Sequence, residues 1–331
     1  MNEPPTDGIR VPVTSLCDLV SNIFQKVPVP EAHAHLMADL LVDTDLRGVV
    51  SHGVVQVERY VRDFQGGKIN THPNVAILRE GPVTAALSGD GGLGFIVGAR
   101  AMEMSIVKAK EYGVGIVTST YHGHFGSCGK YIRMALREEL IGMCCGGRNA
   151  SSKYDYKQTL MGSIQGSPPM AFGMPSGPDQ PAFLLDFASH MGWDEDCFQK
   201  MSAVFFKMLG ISHVANILGG TLGGMMLPEF SREKTKYDAR AGEGAFYMAV
   251  DIERFTSAQA FKEDMAHLMK EIRKMRPMPG YDESHLPGSR EWEWEKDYRL
   301  NGVPISADAK RSLEQLAGEM GCSVPWDEVN L

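Results

Sequence analysis

Residues 83–119 constrain the fold most sharply. The apolar run VTAAL leads into Ser88-Gly-Asp-Gly-Gly-Leu-Gly-Phe95, then a helix-like run over about 95–111, then the strand GVGIVTS at 113–119. Gly89, Gly91 and Gly94 spell G-x-G-x-x-G, the local syntax of a dinucleotide-binding turn. Such a turn needs an acid about twenty residues on, at the end of the second strand, to hold the ribose hydroxyls. Here that strand ends in Thr118-Ser119-Thr120, and Glu111 falls in the helix before it. Asp90 also follows the first glycine, where it would point a negative charge at a pyrophosphate. A tight structural turn explains the glycines as well, because glycine tolerates positive φ. The missing acid favours the structural turn over the cofactor turn.

The rest of the chain alternates strand and helix signals. Helices are expected over 12–26, capped by Thr14 or Ser15, then over 30–44 and 53–65. Residues 69–88 read as extended segments broken by Pro73 and Pro82. Strands are expected at 140–147, 181–189 and 244–252, and helices over 257–275, in SREWEWEKDYRLNG and in the last ADAKRSLEQLAGEMG. An apolar segment at 199–222 ends in LGGTLGG. Gly-rich returns and hairpin-like segments interrupt the alternation, so a purely parallel sheet is not compelled.

With 331 residues, 43% of them hydrophobic, the chain has ample material for a core. Its net charge of −8 and lack of basic blocks argue against a nucleic-acid partner. No apolar run is expected to reach the length of a membrane span, and the N-terminus does not read as a signal peptide. The six cysteines form no C-x-x-C and read as reduced structural thiols of a cytoplasmic protein.

Two clusters can carry chemistry. In Arg47-Gly-Val-Val-Ser-His-Gly53, a histidine sits on a short link where one helix stops and another starts. Its ordinary pKa allows proton exchange near neutrality, while Ser51 either meets a substrate or caps the next helix. The alternative is a capping serine with a half-buried histidine. The second cluster, Tyr121-His-Gly-His-Phe-Gly126, follows a strand. His122 and His124 there read as a substrate or nicotinamide contact, as structural groups, or as half of a metal site lacking a third ligand. Lys207, in the apolar VFFKMLG, either snorkels to solvent or meets an anion such as a cofactor phosphate.

These residues carry a resemblance. DTDLRGVVSHG with RYVRDFQGGKIN, LSGDGGLGFIVGARAMEMSIVKAKEYGVGIV, HGHFGSCGKY, GSPPMAFGMPSG with LLDFAS, and LPGSREWEWEKDYRLNGVPI resemble the malate/L-lactate dehydrogenase family. That family also holds sulfolactate, ureidoglycolate and diketogulonate dehydrogenases, and the similarity runs nearly end to end.

The resemblance implies an α/β fold distinct from the Rossmann type: a large, mostly antiparallel sheet covered by helices, with helical N- and C-terminal segments. It implies a homodimer that uses NAD or NADP and acts on a small-molecule substrate, with no metal. By resemblance His52 is the catalytic histidine, Ser51 its substrate-contacting neighbour, and His124 lies near nicotinamide and substrate. His122, Gly166, Ser167, Pro168 and Lys207 fall on the cofactor side, and the glycine turn is structural.

Three departures stand out. Gln56 stands where the family often has an arginine suited to a substrate carboxylate, so either Arg47 or Arg59 substitutes in substrate binding beside Gln56, or the substrate is not a simple 2-oxo acid. His-Lys-Gly has become Phe206-Lys207-Met208, and Asn-Pro has become Ser167-Pro168. The segment between Ser189 and Lys207 is short. The expected organisation is 1–70 with the Ser-His-Gly motif, 71–255 with the sheet and cofactor site, and 256–331 packing back on the N-terminal part. The expected activity is hydride transfer between nicotinamide and a small malate- or lactate-like 2-hydroxy acid or 2-oxo acid, or a related polar substrate. The alternative is a non-catalytic member of the same fold with a degraded cofactor site.

Overall fold

A computed structural model describes residues 3–148, 168–189, 195–225, 227, 230, 236–237 and 241–326. The chain forms two compact units: 1–73, 178–181 and 266–331 in one, and 74–177 with 182–265 in the other.

The first unit holds β1 (Ile9–Val11), α1 (Val13–Gln25), α2 (Glu31–Leu46) and α3 (Val57–Gln65). The second holds β2 (Ala76–Glu80), β3 (Thr84–Ser88), α4 (Gly94–Tyr112), β4 (Val114–His122), α5 (Gly129–Arg137) and β5 (Ile141–Arg148). It continues with β6 (Pro169–Met174), β7 (Phe183–Ala188), α6 (Glu195–Asn216) and β8 (Glu243–Val250). Then α7 (Ala258–Arg273) contributes residues to both, and α8 (Ser289–Asn301), β9 (Val303–Ile305) and α9 (Ala307–Met320) return to the first unit.

Both chain ends build the first unit. β1 and β9 pair antiparallel, with Ile9 opposite Ile305 and Val11 opposite Val303. α1 begins at Val13 after Pro12, so Thr14 and Ser15, expected as caps, lie inside the first turn. Proline fits there because it has no N–H to leave unpaired. The apolar sides of α1, α2 and α9 supply the core, among them Leu16, Ile23, Phe24, Met37, Leu41 and Leu313. Ser306 caps α9 by accepting the Ala309 N–H (3.2 Å).

The second unit is built on a seven-stranded sheet of order β2-β3-β4-β8-β5-β6-β7. β3 and β4 run parallel, and the other pairings are antiparallel. This is a mostly antiparallel α/β sheet with β8, late in the sequence, inserted at its centre. It is not a Rossmann arrangement.

Alternation along β5 divides the two faces. Gly142 meets Ile132 and Ala135 of α5, while Gly147 meets the main chain of Gly219 and Gly220, and Cys145 packs with Ala215. Helices therefore cover both faces. The segment Glu195–Thr221, which continues α6 through a π-helical turn and breaks helical geometry at Met201, is long and apolar enough by composition to cross a membrane. This corrects the expectation that no apolar run reaches the length of a membrane span. Phe205, Leu209 and Ala215 on it are buried in the core.

Candidate functional site

In the first unit, α2 stops at Leu46 and α3 starts at Val57. Between them the chain makes two short 3-10 turns, Val50–His52 and Val54–Gln56, where a helix was expected to start at residue 53. Ser51 is exposed and His52 half-buried. The Ser51 hydroxyl lies 2.8 Å from His52 Nδ1, so the two side chains form a pair. Gln56 Nε2 donates to the Ser51 carbonyl (2.8 Å), and the Arg59 guanidinium donates to Gln56 Oε1 (3.3 Å). Gln56 and Arg59 are thereby tied to the link that bears His52.

Arg47 does not join them. It is buried, donates to the Gly288 carbonyl (3.0 Å) and pairs with Glu295 (3.4 Å). Its two terminal nitrogens are engaged within the unit, away from the Gln56–Arg59 pair with which it was expected to share substrate binding. A β-carbon on Gly48 would lie 2.6 Å from the Trp294 ring. The acidic-aromatic helix α8 thus clamps the start of the link.

Its end is held by Asp45. This carboxyl is buried and accepts the Val54 N–H at 2.7 Å. Burial pushes its pKa up to about 8, against the opposing pull of that hydrogen bond.

In the second unit, the register between β4 and β8 shifts between Ser119 and His122. Bulges re-aim side chains, and here the strand end carries His122 into the core. His122 is fully buried. Its Nδ1 lies 2.7 Å from the Gly123 carbonyl and its Nε2 2.9 Å from the Ser119 hydroxyl. A carbonyl only accepts, so Nδ1 carries the proton and Nε2 accepts from Ser119. Burial lowers the ring's pKa to about 4, against the Gly123 bond. Both nitrogens of His122, expected on the cofactor side, are thus bonded inside the fold.

The glycine turn is now explained. Gly89 N–H donates to the Thr120 carbonyl, Gly91 N–H to Tyr121 and Gly94 N–H to His124, while Gly123 N–H returns a bond to Gly92. The amides that would cradle a pyrophosphate are zipped to the H-G-H loop instead. A β-carbon on Gly94 would lie 2.4 Å from the Phe125 β-carbon, and one on Gly89 2.7 Å from the His122 β-carbon. Tyr131 closes the loop from α5, its hydroxyl donating to the Phe125 carbonyl at 2.8 Å. His124, half-buried, is presented on this frame.

Gly166 and Ser167 lie outside the described residues. Pro168 is buried, and its carbonyl accepts both the N–H (3.1 Å) and the hydroxyl (2.5 Å) of Ser189. Lys207 is exposed on α6. Asp45, Tyr131, Trp294 and Glu295 escaped sequence reasoning because their partners lie far along the chain or outside any periodic pattern. Asp186 did too, although the strand LLDFAS was noted; its carboxylate accepts the Gly129 N–H (2.8 Å) at the start of α5.

The sequence profile of malate/L-lactate dehydrogenases matches residues 11–191 and 200–314. A malate dehydrogenase of Pyrococcus horikoshii is 30% identical, covering 95% of this chain and 96% of its own. An L-sulfolactate dehydrogenase of Methanocaldococcus jannaschii is 28% identical, covering 92% and 96%. An NAD(+) ureidoglycolate dehydrogenase of Escherichia coli O157:H7 is 24% identical over 92% and 95%. The solved Pyrococcus horikoshii malate dehydrogenase superposes with a TM-score of 0.83, at 29% identity over 98% of this chain and 99% of that one.

Proposed function

The chain belongs to the malate/L-lactate dehydrogenase family, and from that premise we propose a mechanism in which His52 is the proton-transferring group. The protein is a dehydrogenase of CH–OH groups that works with NAD or NADP on small hydroxy or oxo acids. When bound, the nicotinamide accepts or returns the hydride at the carbinol carbon. The rest falls to the chain.

The observation that carries the reading is the Ser51–His52 pair, 2.8 Å apart on a link tied down at both ends. Ser51 engages Nδ1, and Nε2 is the atom proposed to exchange the proton with the substrate oxygen. In oxidation the hydroxyl proton passes to Nε2, and in reduction it returns. Arg59, with Gln56 beside it, supplies the cation and amide for a carboxylate.

The described residues fit a polar cofactor at one point of the second unit. The Thr120 hydroxyl, at the end of β4, is buried with no hydrogen-bond partner among the described residues. That costs roughly 1–3 kcal/mol, which a ligand's polar group offsets. His124 follows four residues later and would contact the nicotinamide, and exposed Lys207 suits a phosphate. Gly166, Ser167 and Pro168 are proposed for the same side by resemblance.

A homodimer and a cytoplasmic location complete the reading. The exposed apolar side chains of α6 and the turn after it, Met201, Val204, Phe206, Val214 and Ile217, suit burial against a second copy. The cytoplasmic reading rests on the sequence, whose six scattered cysteines form no C-x-x-C pattern.

The test has two arms. Purified protein is titrated with NADH and with NADPH, and turnover is then measured on a panel of 2-oxo acids. His52→Ala is expected to lower turnover at least about a hundredfold while the protein stays folded. Near-normal turnover in that variant ends the assignment of His52.

A further inference from the structure

The link that bears His52 closes on one residue at both of its ends. At its start, the Asp45 carbonyl accepts the Gly48 N–H at 2.8 Å. At its finish, the Asp45 carboxyl accepts the Val54 N–H at 2.7 Å. His52 lies between these two anchors, and its own N–H is bonded to the Val49 carbonyl at 3.0 Å.

The carboxyl reaches Val54 only because residue 53 is glycine. A β-carbon there would lie 1.9 Å from Asp45 Oδ1 and 2.3 Å from Oδ2. A carboxyl this buried is costly to keep, and an apolar side chain of similar size would fill the space without that cost. What it adds is a directed acceptor for a main-chain N–H two residues beyond His52.

We propose that Asp45 is a positioning residue for His52: by anchoring both ends of the 47–53 link, it fixes where the imidazole is presented. This rests on the reading of His52 as the proton-transferring group. Displacing a reacting group by about an ångström costs on the order of a hundredfold in rate, so the anchor is kinetically visible without contacting substrate. Burial, which raises the carboxyl's pKa, agrees with a group held for its hydrogen bond more than for its charge.

Four variants test it: Asp45→Ala, Asp45→Asn, Gly53→Ala and the double variant Asp45→Ala/Gly53→Ala. The readouts are kcat, NADH affinity and hydrogen exchange of the Val54 amide. Asp45→Ala is expected to lower kcat about tenfold to a hundredfold, to leave NADH affinity unchanged and to speed Val54 exchange. Asp45→Asn keeps an acceptor for that N–H and is expected to stay within about threefold of wild type. Gly53→Ala is expected to lower kcat strongly in the wild-type background and much less once the Asp45 carboxyl is gone.

A folded Asp45→Ala protein with wild-type kcat and unchanged Val54 exchange overturns the proposal. So does Asp45→Asn proving as damaging as Asp45→Ala, since that would make charge, not the bond, the cause. If Asp45→Ala does not fold, Asp45→Asn and Gly53→Ala still decide. His52→Ala separates the two readings. If it retains turnover, the catalytic role of His52 fails, and Val54 exchange, which needs no turnover, still judges the anchor.

Discussion

The Ser-His-Gly link and the H-G-H-F loop each present a half-buried histidine, and they hold it by opposite means. Beyond its local main-chain turns, the link depends on side chains: the Asp45 carboxyl at its finish, Trp294 against Gly48, and Gln56 on the Ser51 carbonyl. The loop hangs on main chain: the glycine turn zips its amides to residues 120–124, with a neutral, fully bonded His122 underneath. Side-chain anchors are separable by mutation. A main-chain zipper yields only where a glycine is filled. The link is therefore the more adjustable of the two, and it is the one that carries the departure Gln56.

Titration should expose the contrast most strongly. The folded pKa of Asp45 is raised from the usual 3.8 to about 8. The native state therefore binds this proton more tightly than the unfolded chain. Stability is fullest below about pH 4 and falls as pH rises toward 8, by about 5 kcal/mol in total. His122 is lowered from 6.5 to about 4. Its contribution is full above the ordinary value and is lost as pH falls through that window, by about 3 kcal/mol. Urea midpoints from pH 4 to 8 should lose the alkaline decline in Asp45→Asn and the acid decline in His122→Gln. A variant that flattens the opposite limb would break the comparison.

Steric substitution comes next. Gly94→Ala drives a methyl into the Phe125 β-carbon and to within 2.7 Å of the Gly123 carbonyl, so a loss of about 3 kcal/mol is expected by chemical denaturation. Gly53→Ala meets a side-chain carboxyl and should cost less. Equal losses would mean the loop is no stiffer than the link.

The smallest effects sharpen the difference. Tyr131→Phe removes the hydroxyl bonded to the Phe125 carbonyl and should cost about 1–2 kcal/mol of thermal stability. Ser51→Ala, at an exposed position, should cost about 0.5 kcal/mol or less yet still reduce turnover. A Ser51→Ala protein with wild-type turnover would remove the Ser51–His52 pair from the mechanism.

Much of the fold was legible. α4 spans Gly94–Tyr112 against the expected 95–111, and α9 begins and ends as its pattern indicates. The missing acid near residue 119 favoured a structural turn over a Rossmann turn, since that argument needed only local spacing. The start of α3 was missed because residues 53–56 bend around a carboxyl from α2, which no periodicity records. Arg47 and His122 show the same limit: the chemistry of an arginine or histidine suggests a ligand, while no periodicity records Glu295 and Ser119 as their partners in space.

What the sequence determined by itself was the set of elements, the glycine turn and the two histidine-bearing segments, because these depend on residues within a few positions of one another. Which histidine is spent inside the fold, which arginine stays with the link, and that β8 enters the middle of the sheet were decided by tertiary structure alone. Burial and hydrogen-bond partnership are properties of neighbours in space, and here those neighbours come from positions as far apart as 47 and 295.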